Sequence, residues 1–561
     1  MGHHHPHDHD GHDAALPPAL DLSIPDDELP PADSSRRSFL RRAGALGAAA
    51  VAAGTLGPAV GQAAAEPDDG PGDGPRPPKG GFQWLAGDHH IHTQYSPDAQ
   101  YRVIDQVRHA HAYGLDWMVI TDHGSAQHAK IGVEKVNPDI VAARAAIPEI
   151  LVFQGLEWNI PAAEHGTVFV HPGPNEVAVL KEFENVYDGV ITNTGASTPA
   201  NEALATAGIT FLASAVTGRR VTDALMLANH PARKGIDSPH EIRAWRDASP
   251  AIAIGMEGAP GHQAAGIAMP GGPGSGRGAY DNSPTAASFP GYPLESYRTF
   301  GGYDWMTATV GGLWDSLLAE GKPWWITANS DAHMIYGDTS TRGPGSDFTN
   351  NGFFNDPVHG GPANLTNSDF WPGFYSRTNV GTRLDTYAAV MDGLRAGRIW
   401  VDHGQLISAL DMQLSAAPGR SAPLGGTLQV RRGAPVILTI NIDLANGPNW
   451  AQFQPTLARV DVIAGDITGP VTDQDTFTTP ATKVVKSFDI GRNSGSVSLS
   501  YSFTADKSFY VRIRGTDGNR GAPGLLGVAI DPAGPAMDVL GDADPWKDLW
   551  FYSNPIFVLV R

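Results

Sequence analysis

The strongest constraint on this 561-residue chain is a unit that recurs between residues 84 and 333: a short apolar run, then a histidine, aspartate or glutamate, then a stretch of helical spacing. Trp117-Met118-Val119-Ile120-Thr121 leads into Asp122-His123, and Ile150-Leu151-Val152-Phe153 runs on to Gly155-Leu156-Glu157. Leu225-Met226-Leu227-Ala228 ends in Asn229-His230-Pro231. Between such runs lie helical patterns: Val103, Ile104, Val107 and Ala110 in one, a second from Pro138 to Ile147, and a third opened by the capping box Ser238-Pro239-His240-Glu241. Repeated β/α units predict a parallel barrel, whose chemistry sits at the C-terminal strand ends.

Two of those ends offer paired ligands. In Gly87-Asp88-His89-His90-Ile91-His92-Thr93, residues two apart share a face of a strand, so His90 and His92 can grip one metal ion while His89 faces away. Asn329-Ser330-Asp331-Ala332-His333, after the apolar Trp324 to Ala328, offers a second pair. The chain has no cysteine, so any metal must be held by His, Asp and Glu, and thiol nucleophiles and disulfides are excluded.

Residues 1–34 are polar, Pro-broken and His-rich, which predicts a disordered leader. Ser35-Arg36-Arg37-Ser38-Phe39-Leu40-Arg41, with an Ala/Gly-rich run to Ala65, reads as a twin-arginine signal peptide. Export by that machinery implies a periplasmic, cell-wall or extracellular protein, and the run is too poor in large apolar residues for a stable anchor. Residues 66–81 read as a linker and 82–406 as the barrel domain. Two long excursions interrupt the barrel, Gly258 to Gly302 and Met334 to Arg377; the second starts directly after His333 and is expected to cover the metal centre or to pack elsewhere. Leu384 to Gly397 reads as a last amphipathic helix. From Ile407 the texture changes to strands such as Val436 to Ile442, Val497 to Phe503 and Phe509 to Arg514, which predict an all-β sandwich over 407–561.

Net charge is −20; residues 1–65 carry eight acids and four bases, so the remainder keeps −16. That balance disfavours sequence-independent nucleic-acid binding, leaves a short oligonucleotide or mononucleotide at a metal centre open, and makes a small molecule the expected substrate.

Taken together, Asp88 to Thr93 with Ser96-Pro97-Asp98, Ile120 to Gly124, Gly155-Leu156-Glu157, Glu164-His165-Gly166, Asn229-His230-Pro231 and Asn329 to His333 resemble the PHP (polymerase and histidinol phosphatase) superfamily. The C-terminal part, ending in Ser553-Asn554-Pro555-Ile556, is similar to that of its carbaryl-hydrolase-like branch. The resemblance implies a distorted (β/α)7 TIM-like barrel with two or three divalent ions, of the zinc, manganese or iron type. A first would take His90, His92, Glu157 and Asp331. A second would share Glu157 and add His165 and His230, and a third would take Asp98, His123 and His333. Of these, His90, His92, Glu157, Asp331 and His333 would form the catalytic centre. His171, at the end of Val168-Phe169-Val170, competes with His165. Asp88 would orient a ligating histidine, and His403 would either reach the site or be structural, the second being preferred.

Such a centre predicts a hydrolase. Arg233, Arg219-Arg220 and Arg342 are candidates for holding phosphate oxygens, which makes a phosphoesterase the first expectation. Carbamate, ester or amide hydrolysis is the second, suggested by the resemblance to the carbaryl-hydrolase-like branch; aromatic-rich loops such as Phe353-Phe354 and Phe370-Trp371 would suit an apolar leaving group. A metal-stabilised binding protein without catalysis is the third.

Overall fold

The computed structural model describes residues 81–267, 283–417, 419–518 and 544–561. The His-rich leader, the signal sequence and the linker up to residue 80 lie outside the described residues, as do 268–282 of the first excursion.

Seven strands build the N-terminal half: β1 (Gln83–Asp88), β2 (Trp117–Ile120), β3 (Leu151–Asn159), β4 (His165–Val170), β5 (Ala224–Ala228), β6 (Ala253–Ala259) and β7 (Trp325–Ala328). Around them lie helices α1 (Val103–Ala112), α2 (Val133–Ala146), α3 (Glu176–Tyr187), α4 (Pro199–Thr217), α5 (Pro239–Ala248), α6 (Leu313–Ala319) and α7 (Tyr387–Arg395). The capping box of α5 forms as expected, with the Ser238 hydroxyl accepting from Glu241 N and the Glu241 carboxylate accepting from Ser238 N. Helix α2 starts a turn before Pro138, because Val133 and Val136 extend the buried face of Ile140 and Ala143 backwards at helical spacing.

The strands follow sequence order, but two parallel runs, β1–β2–β3 and β5–β6–β7, are joined by a strand that runs the other way. β4 is antiparallel to both β3 and β5. The cause is length: five residues separate β3 from β4, and a parallel connection needs a crossover of a dozen or more. Ladder pairing does not close the strands into a regular (β/α)7 barrel. Beyond the strand ends an isolated bridge joins Ile91 to Ala332, while the β1 edge is filled by antiparallel β8 (Ser376–Thr382), followed by β9 (Ile399–His403).

Past residue 406 come β10 (Ile407–Ala416), β11 (Arg420–Pro423), β12 (Thr427–Val430), β13 (Ala434–Leu444), β14 (Arg459–Asp466), β15 (Lys483–Asp489), β16 (Ser496–Ala505), β17 (Phe509–Thr516), β18 (Trp550–Ser553) and β19 (Ile556–Val560). Strands β11-β10-β13-β16 form one sheet. Alternate residues of β10 and β13, among them Leu410, Met412, Val436 and Leu438, share a core with Val460, Val462, Val511 and Ile513 of β14 and β17. That second layer is not separate from the first half: β18 pairs with β9, so a single fifteen-stranded sheet runs across residue 406. No helix among the described residues is long and apolar enough to cross a membrane.

Candidate metal centre

Most of the expected ligands lie just past strand ends, while Glu157 lies within β3 and His165 opens β4. His90 and His92 follow β1, held by Asp88, whose Oδ1 accepts from His90 N at 2.9 Å and whose Oδ2 accepts from Ser330 N at 2.9 Å. Asp88 therefore ties two loops by their backbones instead of orienting a ligand ring, the role expected of it. Burial pushes its carboxyl up to about 7. The ring partner of His90 is Glu257, at the end of β6: His90 Nδ1 lies 2.8 Å from its Oε1. Ser96 does the same for His92, with Oγ 2.9 Å from Nδ1, and also accepts from His123 N at 2.9 Å. After β7, Asp331 sits in the left-handed region at φ +50, so the Asp331/His333 pair does not repeat the extended His90/His92 geometry.

Glu157 stands at the centre. Its Oε1 lies 3.0 Å from His90 Nε2, 3.0 Å from His165 Nδ1 and 3.2 Å from His230 Nε2, and its Oε2 lies 2.7 Å from His123 Nδ1. Asp331 Oδ1 lies 3.0 Å from His90 Nε2 and 3.1 Å from His92 Nε2. Asp98, half exposed at the rim, approaches His123 Nε2 at 3.0 Å and His333 Nε2 at 3.5 Å. All nine residues expected as ligands thus converge. Ligand-type groups of three or four include His90 with His92 and Asp331, His90 with Glu157 and His230, and His92 with Asp98, His123 and His333.

The donor set fits divalent cations. Donors about 2.1 Å from one tetrahedral ion stand roughly 3.4 Å apart, and the donors here lie between 2.7 and 3.6 Å from one another, close enough for small shifts to seat an ion. His92 Nε2 and Glu157 Oε2 are buried and form no hydrogen bond, although His123 Nδ1 is only 2.7 Å from that oxygen. Lone pairs aimed at a common point, and not at each other, produce that combination. Burial alone would raise the pKa of Glu157 and Asp331, but the surrounding histidines, led by His165 and His90 respectively, hold both well below the usual carboxylate range.

His165 and His171 part company because β4 is reversed. Asn159 pairs with His165 across the β3–β4 hairpin, which sets His165 beside Glu157. His171 follows the opposite end of β4, with Nδ1 2.9 Å from Pro172 O and its ring near Tyr387. His89, facing away as expected, meets Thr167 and Thr327. His403 packs between Tyr303 and Tyr375.

A cavity of about 300 Å³ opens over Asp98, His123, Glu157, His230, Asp331 and His333. Arg233 lines it, with Nη2 on Glu164 Oε2. Burial would raise the Glu164 carboxyl, yet Arg233, His230, His165 and Lys234 hold its pKa at about 2. Of the other arginines, Arg220 pairs with Glu182 away from the cavity and Arg342 lies in a neighbouring groove.

Three participants escaped the sequence reading. Glu257 lies near the C-terminal end of its strand, as Glu157 does, and the same strand-end logic would find it. His262 and Asp369 come from the two excursions, where no periodicity marks them. His262 Nε2 lies 2.9 Å from Asp331 Oδ2 and its Nδ1 meets Asp369 Oδ1. A Cβ on Gly261 would stand 1.8 Å from Ser330 O, so only glycine lets this loop reach Asp331. The second excursion walls the cavity through Met334 and residues 366–369. Its aromatics point elsewhere: Trp371 stacks on His109, Phe370 packs near Trp546 and Phe353 near Tyr95.

No curated protein matches the chain. Among solved structures, a two-domain protein from Bacteroides vulgatus containing a predicted PHP-like metal-dependent phosphoesterase is 14% identical, with 77% of this chain and 91% of that one covered. Its TM-score is 0.30, a likeness too loose to bear on this fold. The segment that contributes His90, His92, Asp98, His123, Glu157 and His165 is a different matter: residues 88–201 match the PHP domain.

Proposed function

We infer that the protein is a metal-dependent hydrolase that cleaves phosphoesters of small molecules, using two or three divalent ions of the zinc, manganese or iron type. The observation that carries this reading is Glu157, a buried carboxylate with imidazole nitrogens of His90, His123, His165 and His230 within 3.2 Å, of which Oε2 accepts no hydrogen bond. A structural site would be closed over; this one faces a cavity. Bound divalent ions would polarise a phosphoryl oxygen and acidify water toward neutral pH.

The chain's own residues supply the rest. His90, His92, Glu157 and Asp331 would hold one ion, Glu157 with His165 and His230 a second, and Asp98, His123 and His333 a third. Glu257 and Ser96 fix the His90 and His92 rings, so their donors need no reorganisation. Arg233 would meet the phosphoryl oxygens, and Glu164 holds its guanidinium at the cavity wall. With Phe353, Phe370 and Trp371 packed elsewhere, the cavity wall is polar, which favours a phosphoester over an aryl carbamate. The reading includes export by the twin-arginine route, supported by Ser35 to Arg41 and the Ala/Gly-rich run behind it.

The test is a hydrolysis screen of residues 66–561 against matched aryl phosphate mono- and diesters, carboxylesters and carbamates, after chelation and after re-metallation, with bound metal counted. Metal-dependent release from phosphates is expected. Release confined to carbamates or carboxylesters overturns the phosphoester assignment, and metal binding with no turnover of any ester overturns the hydrolase.

A further inference from the structure

A groove of about 650 Å³ runs beside the metal cavity and shares Met334 and Asn367 with it. Its remaining wall comes mostly from residues 338–342 and 362–364. Most of that wall is hydroxyl and amide, and Arg342 is its one cation among the described residues.

Arg342 is exposed but fixed. Its guanidinium stacks 4.0 Å from the centre of the Phe354 ring, Nη2 donates to Pro97 O at 2.7 Å, and Nε donates to Ala99 O at 3.4 Å. Those two carbonyls flank Asp98, so the cation is anchored to the loop that brings a carboxylate to the metal centre. Held this way, the side chain gives up rotamer freedom and presents its guanidinium in one orientation. No carboxylate lies within 4.0 Å of it among the described residues, and Nη1 has no protein partner there. Arg233, by contrast, is neutralised by Glu164. The acid in the groove, Asp338, has both oxygens engaged, one by Tyr101 Oη at 2.8 Å and one by Ser340 N at 2.5 Å.

We propose that this groove receives the leaving-group side of the substrate and that Arg342 binds a second anionic group there, a carboxylate or a phosphate. The preferred substrates are then phosphoesters whose leaving group carries its own negative charge. This rests on the phosphoester reading of the metal centre. The planar guanidinium fork matches either oxyanion, and the ring beneath it keeps the fork facing the groove.

The experiment is calorimetry on the metal-loaded protein with three unreactive phosphonates: benzylphosphonate, 4-carboxybenzylphosphonate and 1,4-xylylenebisphosphonate. Wild type should bind at least one of the two ligands with a second anionic group about 10-fold or more tighter than benzylphosphonate, and in Arg342→Gln that advantage should shrink below about 3-fold. The ligand that gains tells carboxylate from phosphate. Equal affinities in wild type, no binding of any of the three, or an advantage that survives Arg342→Gln overturns the proposal. Because phosphonates are not hydrolysed, the two readings fail separately. An Arg342-dependent gap in a protein that cleaves only carboxylesters sinks the phosphoester assignment, whereas phosphate turnover without the gap sinks the groove.

Discussion

Asp315 on α6 and Arg512 on β17 stand 197 residues apart in sequence and meet through two hydrogen bonds, 2.8 Å from Nε and 2.7 Å from Nη2, with neither side chain exposed. Tyr510 Oη adds a third contact to Asp315 at 3.0 Å, and Trp314 lies under the guanidinium. A helix of the first half is thereby bolted to the sheet of the second. Asp315→Ala should cost about 3–5 kcal/mol, since it leaves a buried guanidinium without its charge partner. Urea unfolding measures this, and wild type should lose both halves in one transition. A cost under about 1 kcal/mol, or two separated transitions in wild type, would contradict it.

His165→Ala should lower the metal retained after dialysis, while His171→Ala should retain the wild-type amount. Elemental analysis of both variants decides between them, with circular dichroism to check that each is folded. Metal loss in His171→Ala with none in His165→Ala would mean that the β3–β4 hairpin is wrongly registered.

For Arg233→Ala, kcat/KM on an aryl phosphate should fall about 10- to 100-fold, the worth of one or two charge-assisted hydrogen bonds. A matched carboxylester presents one neutral carbonyl oxygen in place of the anionic phosphoryl oxygens and should lose much less. Equal losses on the two substrates would remove the phosphate role from Arg233.

Asp116 supplies a pH test away from the cavity. Burial raises its carboxyl from 3.8 to about 6, against the opposing effect of Ala86 N, which donates to Oδ2 at 2.7 Å. The folded state therefore favours the protonated acid. The stability this group contributes is full below about pH 4 and is lost as pH rises through 6. Asp116→Asn is neutral at every pH, so it should gain on wild type by about 1–3 kcal/mol between pH 4 and pH 7. Chemical denaturation across that range reads the difference, and a flat difference would rule the shift out.

How much of this was legible beforehand depends on whether a residue's position follows from local pattern. His90, His92, His123, Glu157, His230, Asp331 and His333 all follow apolar runs, and strand ends are where a β/α fold gathers its polar groups. The reversal of β4 was not read, because Val168-Phe169-Val170 looks the same in either direction and only the short link to β3 decides. That single ambiguity left His165 and His171 undecided. His262 and Asp369 belong to excursions whose course is set by tertiary contacts, such as the approach of Gly261 to Ser330, and no window of sequence contains both partners. The run of one sheet across residue 406 was hidden for the same reason: β18 reaches β9 from about 150 residues away.

The five residues Ile160 to Glu164 that turn β3 back into β4 now carry an unusual burden. Surface loops generally absorb changes of length at little cost. Here one added or deleted residue would slip the hairpin register, and every side chain of β4 would exchange faces. His165 would leave Glu157, and its neighbour Glu164 or Gly166 would take its place. Length variation among related chains should therefore be tolerated in the excursions around residues 270 and 360 and be absent from this turn, which makes the eight-residue interval from Glu157 to His165 a ruler for the centre.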